Sequence, residues 1–290
     1  MEGHYTFSFL KEHDIPDLYN TFQEAFADYI VPIKLSLEQF YTKLKREGVE
    51  LTFCAGAYHE QKLVGFIMTG LGEWQGKPTA YNAGTGVVPE HRGRKLTQEL
   101  YAFMLPTLRE SGIEQCLLEV IQENEAALKS YQKIGFRITR TFDCFRALKQ
   151  DLILPEEKPL LISLQEAAKP NWQAYRQFYD IRPSWQHTEQ AYKRSPDQKK
   201  VLEAYDEDKL LVGFVAFFPR TGAISQLGVS ATYRGQGVAT ALLQEALQQT
   251  EVPALLVINV DTSCHTCLEY LKRRHFTRIL GQYEMLLPLE

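Results

Sequence analysis

The chain repeats itself, and this constrains its fold more than any other feature. VVPEHRGRKLTQEL at Val87–Leu100 has a counterpart in VSATYRGQGVATAL at Val229–Leu242, with Arg92-Gly93 and Arg234-Gly235 lying 142 positions apart. Upstream, KLVGF (Lys62–Phe66) matches LLVGF (Leu210–Phe214) at an offset of 148. Downstream, Gly135-Phe136 matches His275-Phe276 at 140. Three blocks kept in one order, at offsets that drift by a few residues, read as one unit duplicated with changes in loop length. The 290 residues suffice for two modest domains. Residues 1–150 and 157–290 are therefore expected to be two copies of one fold, joined by the charged, proline-containing stretch Lys149–Pro159.

In the first copy the patterns predict a strand at Tyr5–Phe9 and helices over 14–26 and Leu37–Arg46. A hairpin of Leu51–Tyr58 and Lys62–Thr69 and a strand at Tyr81–Val88 follow. After the Arg-Gly turn, Leu96, Leu100, Met104 and Leu108 recur at helical spacing, and Pro106 predicts a kink or an early end. A buried strand at Cys116–Ile121, a helix at Glu125–Lys133 and a final pair of strands within Phe136–Leu148 complete the copy. The second copy repeats the series with a shorter hairpin between its third and fourth strands.

Composition excludes several classes of function. Lys and Arg number 32 against 36 Asp and Glu, a net charge of −4, without the basic surface that nucleic acid demands. The opening MEGHYTFSFLKEHD has no basic n-region or apolar h-region, and the uncharged runs Leu210–Phe218 and Val252–Val260 fall short of the ~18 residues of a membrane span. A soluble, cytoplasmic chain is expected. Five scattered cysteines do not suggest a disulfide framework. Cys264-His265-Thr266-Cys267 has the spacing of a metal half-site. No second such pair exists and only His275 is near, so these cysteines are read as packing a helix against the sheet, and no metal is expected. The aromatic-rich Thr21–Ile30 and Asn171–Asp180 read as helix faces buried on a core; Glu24 and Asp28 read as solvated surface, or as attraction for a cationic amine.

The chemistry is concentrated where a strand meets a helix through the Arg-Gly turn. A helix N-terminus leaves backbone N–H groups unpaired and carries about half a positive charge, which suits a pyrophosphate. Glycines let the backbone approach closely and permit positive φ. The second copy reads Arg234-Gly235-Gln236-Gly237-Val238-Ala239, the pattern Arg/Gln-x-x-Gly-x-Gly/Ala. The first reads Arg92-Gly93-Arg94-Lys95-Leu96-Thr97, which keeps the backbone donors and adds charge but has lysine and threonine at the later small-residue positions. Further along, Asn124-x-x-Ala-x-x-x-Tyr131-x-x-x-Gly135-Phe136 follows a strand carrying Glu119.

On these motifs the chain resembles the GCN5-related N-acetyltransferases, as two consecutive copies of that fold. The resemblance implies an α/β architecture: a mixed, twisted sheet with helices on both sides, whose fourth and fifth strands splay to admit acetyl-coenzyme A. It implies a turn at Arg92–Thr97, and another at Arg234–Ala239, holding the pyrophosphate. Backbone groups at Thr85 and Val87, and at Leu227 and Val229, would pair with the pantetheine arm, with Asn124 beside it. The Val87 N–H or its neighbour would stabilise the oxyanion. It further implies Tyr131 as the acid that protonates the departing thiolate and Glu119 as the base that takes a proton from an attacking primary amine. Read from the residues alone, Tyr131 also fits a core aromatic, and Glu119 a strand-end carboxylate paired with a nearby base. With the offset of 140, Tyr131 maps onto Leu271, Glu119 onto Asn259 and Asn124 onto Cys264. The N-terminal copy is thus expected to be catalytic and the C-terminal one to bind coenzyme or to serve structure. A non-catalytic acetyl-coenzyme A sensor, or a C-terminal interaction module that sets oligomeric state, remains open. The acceptor, a small-molecule or peptide amine, and the oligomeric state are not encoded in any motif.

Overall fold

The computed structural model describes residues 4–31, 33–155 and 162–289. The predicted linker therefore lies outside the described residues from 156 onward. Two compact units emerge: unit 1 comprises Met1–Arg140, Lys193–Pro196 and Tyr283–Glu290, and unit 2 comprises Thr141–Tyr192 and Asp197–Gln282.

Unit 1 begins with β1 (Thr6–Phe9), α1 (Ile15–Ala25) and α2 (Leu37–Glu47). Pro16 in the first turn starts α1; Ser36 caps α2, with Gln39 completing a capping box, and Gly48 ends it in the left-handed conformation. Then come β2 (Ala55–His59), β3 (Lys62–Trp74) and β4 (Lys77–Val87), α3 (Leu96–Glu110), β5 (Gln115–Ile121) and α4 (Glu125–Ile134). The long hairpin β3–β4 turns at Gln75-Gly76, beyond the strand ends predicted from sequence. Neighbouring residues of β3 serve opposite layers. Phe66 meets Phe22 of α1, which packs on Phe40 of α2, whereas Ile67 joins Leu100, Met104 and Leu108 of α3 in the other core. The helix α3 runs through Pro106 to Glu110, so of the two outcomes the sequence offered the early end does not occur. An interior proline costs about 3 kcal/mol; Met104 and Leu108, buried on either side, offset it at roughly 1.5–3 kcal/mol each.

The strand order of unit 1 is β1-β2-β3-β4-β5 followed by β12 (Thr277–Pro288), whose residues from Tyr283 onward belong to this unit. The sequence reading of two strands within Phe136–Leu148 is corrected. That segment is one strand, β6 (Arg137–Leu148), because RITRTFDCFRAL holds no Gly, Pro or Asn to turn it. From Thr141 onward β6 belongs to unit 2. The units are therefore not contiguous stretches of chain: each is finished by a strand from the other half of the sequence. In unit 1 the imported strand is held by Glu284, 1% exposed, whose carboxylate accepts from Arg140 Nε (3.0 Å) and Nη2 (2.5 Å) and from Thr139 Oγ1 (2.8 Å).

Unit 2 contains β7 (Ser163–Glu166), the single turn α5 (Trp172–Tyr175), α6 (Glu189–Arg194, its end in unit 1), β8 (Lys200–Tyr205), β9 (Leu211–Phe218), β10 (Ala223–Val229), α7 (Val238–Gln248), β11 (Ala254–Asp261) and α8 (His265–Arg273). Its strand order is β7-β8-β9-β10-β11-β6. The hairpin β9–β10 is shorter than β3–β4, as the sequence indicated. Where unit 1 has the eleven residues of α1, unit 2 has only the short α5, capped by Asn171, with Trp172, Tyr175 and Phe178 buried against Phe214.

Candidate active site

Each unit has a parallel strand pair that opens into a fork. In unit 1, β4 pairs with β5 from Thr79↔Gln115 to Asn82↔Leu118, and beyond Asn82 the strands part. A β-bulge at Ala83 accompanies the opening: Met68 faces Gly84 and Thr69 faces Asn82. The Asn82 side chain bridges the bulge, accepting from the Gly84 N–H (2.9 Å) and donating to Thr85 Oγ1 (2.7 Å). Unit 2 repeats the device: Ser225 is the extra residue, and β10 meets β11 at Ala223↔Leu256 before the two diverge.

The Arg-Gly turns crown the forks, and their first arginine does something the sequence did not reveal. Arg92 donates from Nε to the Val87 carbonyl (3.1 Å) and from Nη2 to the Ala25 carbonyl (3.0 Å), and it grips both oxygens of Asp28 at 2.7 Å. Arg234 does the same in unit 2, with Val229 O (3.0 Å), Phe178 O (3.4 Å) and Asp180 (2.7 Å). Each guanidinium is a strut that fixes the strand end, the turn and the end of the first helical segment. The carboxyl of Asp28 is held below the usual range by the hydrogen bond from Arg92. Asp28 and Glu24, read from the sequence as solvated surface, are both partly exposed, and there Asp28 pairs with Arg92 and Glu24 with Lys62.

The backbone of the two turns is alike. Gly93 and Gly235 have φ of 76° and 75°, with open space where a Cβ would stand; Lys95 and Gly237, the N-caps of α3 and α7, have φ of 62° and 88°. Lys95 thus accepts the left-handed conformation that glycine takes in the second copy. Neither helix start receives a side-chain cap, so the N–H groups of the first turn point outward from both. The side chains of Leu96 and Val238 are core, 3% and 1% exposed, leaving these residues only their backbone for a ligand. Arg94 and Lys95 are exposed, Thr97 is half-buried, and Gln236 donates to the Thr232 carbonyl.

Tyr131 and Glu119 take up opposite sides of β5. Tyr131, on α4, is 7% exposed and packs edge-on to Tyr101 and Phe136, in one core with Leu118 and Val120. Its hydroxyl lies 3.5 Å from Asn82 Nδ2 and bonds to Thr85, at the root of the fork. Burial pushes its pKa from 10.0 up to about 12, so it keeps its proton at neutral pH. Glu119 alternates with Leu118 and Val120 and therefore faces the other way, where Tyr81 donates to its Oε2 (3.2 Å). Asn124 caps α4 by accepting from the Ala127 N–H (3.1 Å) and donates to Tyr29 Oη (3.3 Å). Asn82, Tyr81, Tyr101 and Tyr29 escaped the sequence reading, since no motif spacing ties them to the turn or to Tyr131.

Unit 2 has a cleft of about 680 Å³ between its diverging strands. Leu227, Val229, Arg234, Gly235, Gly237, Val238 and Ala239 line it, together with Asn259, Cys264 and Cys267. Leu271 is buried in the core at the place of Tyr131, and Asn259, at φ 57°, stands for Glu119 and donates to Ser184 Oγ. Cys264 and Cys267, read from the sequence as packing a helix against the sheet, are joined in a disulfide. Among the described residues, no three His, Cys, Asp or Glu side chains converge on a metal position, and no helix is long and apolar enough to cross a membrane.

A parallel strand pair that forks below an uncapped helix start is built twice, once in each unit. The sequence model of the acetyltransferase (GNAT) family matches residues 11–136 and again 161–276, and the chain belongs to this family as a tandem member. N-alpha-acetyltransferase MAK3 of Arabidopsis thaliana is 25% identical over 173 residues, 58% of this chain and 87% of that protein. A GCN5-related N-acetyltransferase from Sphaerobacter thermophilus shares the fold with a TM-score of 0.75 at 18% identity, over 99% of this chain and 96% of that one. A tandem GNAT protein from the clavulanic acid biosynthesis pathway gives 0.71 at 14% identity, over 99% of both chains.

Proposed function

We propose that the protein is an acetyl-coenzyme A-dependent N-acetyltransferase whose chemistry runs in unit 1, by direct attack of a primary amine within a ternary complex. The observation that carries this reading is the Tyr131 hydroxyl, buried, protonated and reaching the root of the β4–β5 fork beside Asn82 and Thr85. The residues present fit the coenzyme: Gly93 leaves an open approach and the α3 N-terminus lacks a side-chain cap. Turn residues 92–97 would hold the pyrophosphate through their backbone, with Arg94 and Lys95 adding charge. Backbone groups of Thr85 and Val87, with Asn124, would hold the pantetheine arm, and an N–H at Val87 would face the developing oxyanion. When bound, the thioester supplies an activated acetyl group and a thiolate leaving group.

Glu119, directly or through water, removes the proton from the amine on one face of β5. Tyr131 returns a proton to the sulfur from the other face. Unit 2 serves as a coenzyme-binding copy without acid or base, since its cleft is lined by the turn while Leu271 and Asn259 occupy the two chemical positions. The acceptor is a small-molecule or peptide amine; the likeness to an N-alpha-acetyltransferase favours the α-amine of a peptide. Tyr131→Phe tests the proposal. Turnover with an amine panel should fall on the order of 10²-fold or more while calorimetric affinity for acetyl-coenzyme A is kept. Unchanged turnover would remove Tyr131 from the mechanism.

A further inference from the structure

The motif Cys264-His265-Thr266-Cys267 has no place in the acetyl-transfer scheme, yet it sits on the wall of the unit 2 cleft as a closed disulfide. We propose that this disulfide is a thiol–disulfide exchange site, and that the thiol it reacts with is coenzyme A in its deacylated form. The proposal rests on the reading of unit 2 as a coenzyme-binding copy.

Comparison of the two copies gives the first argument. In unit 1 the α4 start is closed by a hydrogen bond from the Ala127 N–H to the Asn124 side chain. The corresponding residues of unit 2 are Cys264 and Cys267, and Cys264, the N-cap of α8, makes no side-chain cap hydrogen bond. A covalent bond stands where the copy has a cap. Opening it would leave the Cys264 sulfur at an N-cap, where the helix N-terminus stabilises an anion and the N–H groups of the first turn can bond it. Cys264 is thereby a good leaving group.

Access gives the second. Cys267 is exposed, whereas Cys264 is 7% exposed. Both border the same cleft as Val229, Gly237 and Tyr270, so a thiol held in that cleft meets Cys267 first. The remaining cysteines, Cys54, Cys116 and Cys144, are buried and outside the disulfide, and burial pushes Cys54 and Cys116 up to about 12, which keeps them out of competition.

The step balances without an outside oxidant. The coenzyme thiolate attacks Cys267 Sγ, the Cys264–Cys267 bond breaks, and its electron pair leaves on Cys264, which stays a thiolate or takes a proton from water. A new S–S bond joins the coenzyme to Cys267. Acetyl-coenzyme A has its sulfur acylated and cannot react, so the site distinguishes the product of acetyl transfer from the substrate.

The test uses the full-length oxidised protein, incubated separately with coenzyme A, acetyl-coenzyme A and glutathione at equal concentration and read by non-reducing intact mass and peptide mapping. The expected result is a coenzyme adduct on Cys267, none with acetyl-coenzyme A, and a glutathione adduct at least about tenfold slower. In Cys264→Ser, where serine can take over the cap, Cys267 should form the same adduct with coenzyme A disulfide, releasing one coenzyme thiol; Cys267→Ser should form none. Calorimetry with acetyl-coenzyme A counts the sites. Two sites without any adduct would overturn the exchange while leaving the coenzyme reading of unit 2 intact. One site, with coenzyme A and glutathione reacting alike, would overturn both.

Discussion

Arg92 holds both carboxylate oxygens of Asp28 at 2.7 Å and, through the same guanidinium, the carbonyls of Val87 and Ala25. The charge of this arginine is thereby committed to the scaffold, and its contribution to a ligand is to hold the turn in shape. Arg92→Ala should weaken acetyl-coenzyme A binding severalfold by calorimetry through loss of preorganisation. Because the pair is about half exposed, the change in unfolding free energy should be small. A large stability loss with unchanged affinity would reverse this assignment.

Lys95 stands at φ 62° where the second copy has Gly237. A left-handed residue with a Cβ costs roughly 1–2 kcal/mol, part of which glycine gives back as unfolded-state entropy. Lys95→Gly should therefore stabilise unit 1 by about 0.5–1 kcal/mol in urea unfolding, and Gly237→Ala should destabilise unit 2 by a similar amount.

Alkaline pH offers a test of the buried Tyr131. Its pKa is raised by burial from 10.0 to about 12, so below pH 10 both folded and unfolded chains keep the proton and stability is unaffected by it. As pH climbs from 10 toward 12 the unfolded chain ionises and the folded one does not, so the stability is progressively lost. Tyr101, also raised by burial, acts in the same direction. Denaturant unfolding at about pH 8 and about pH 11 should show this loss, and Tyr131→Phe should shrink it by up to about 1.4 kcal/mol per pH unit.

The strand supplied by Tyr283–Pro288 makes unit 1 dependent on the far end of the chain. A fragment of residues 1–150 leaves β5 with an open edge and should aggregate or stay unfolded, as sedimentation and circular dichroism would show. In the full chain, Glu284→Ala leaves Arg140 without its buried partner and should cost about 3–5 kcal/mol. A soluble, cooperatively folded 1–150 fragment would contradict the strand exchange.

Local chemistry is what the sequence carried well. The Arg-Gly turns, the helical spacing of Leu96 to Leu108 and the repeat of all three blocks depend on neighbours within a few residues, and a reader of the string can count them. The placement of Tyr131 on the helix after β5 follows from the same short-range pattern. Tertiary structure alone decided which strand finishes each unit, because strand pairing joins residues far apart in the chain and neither β6 nor β12 bears a mark naming its partner. It also decided that Arg92 is bound to Asp28, that Asn82 bridges a bulge to reach Thr85 and Tyr131, and that Cys264 and Cys267 close a covalent bond. Those contacts form when separate elements bring side chains within a few ångströms, and packing, more than spacing along the string, determines which ones meet.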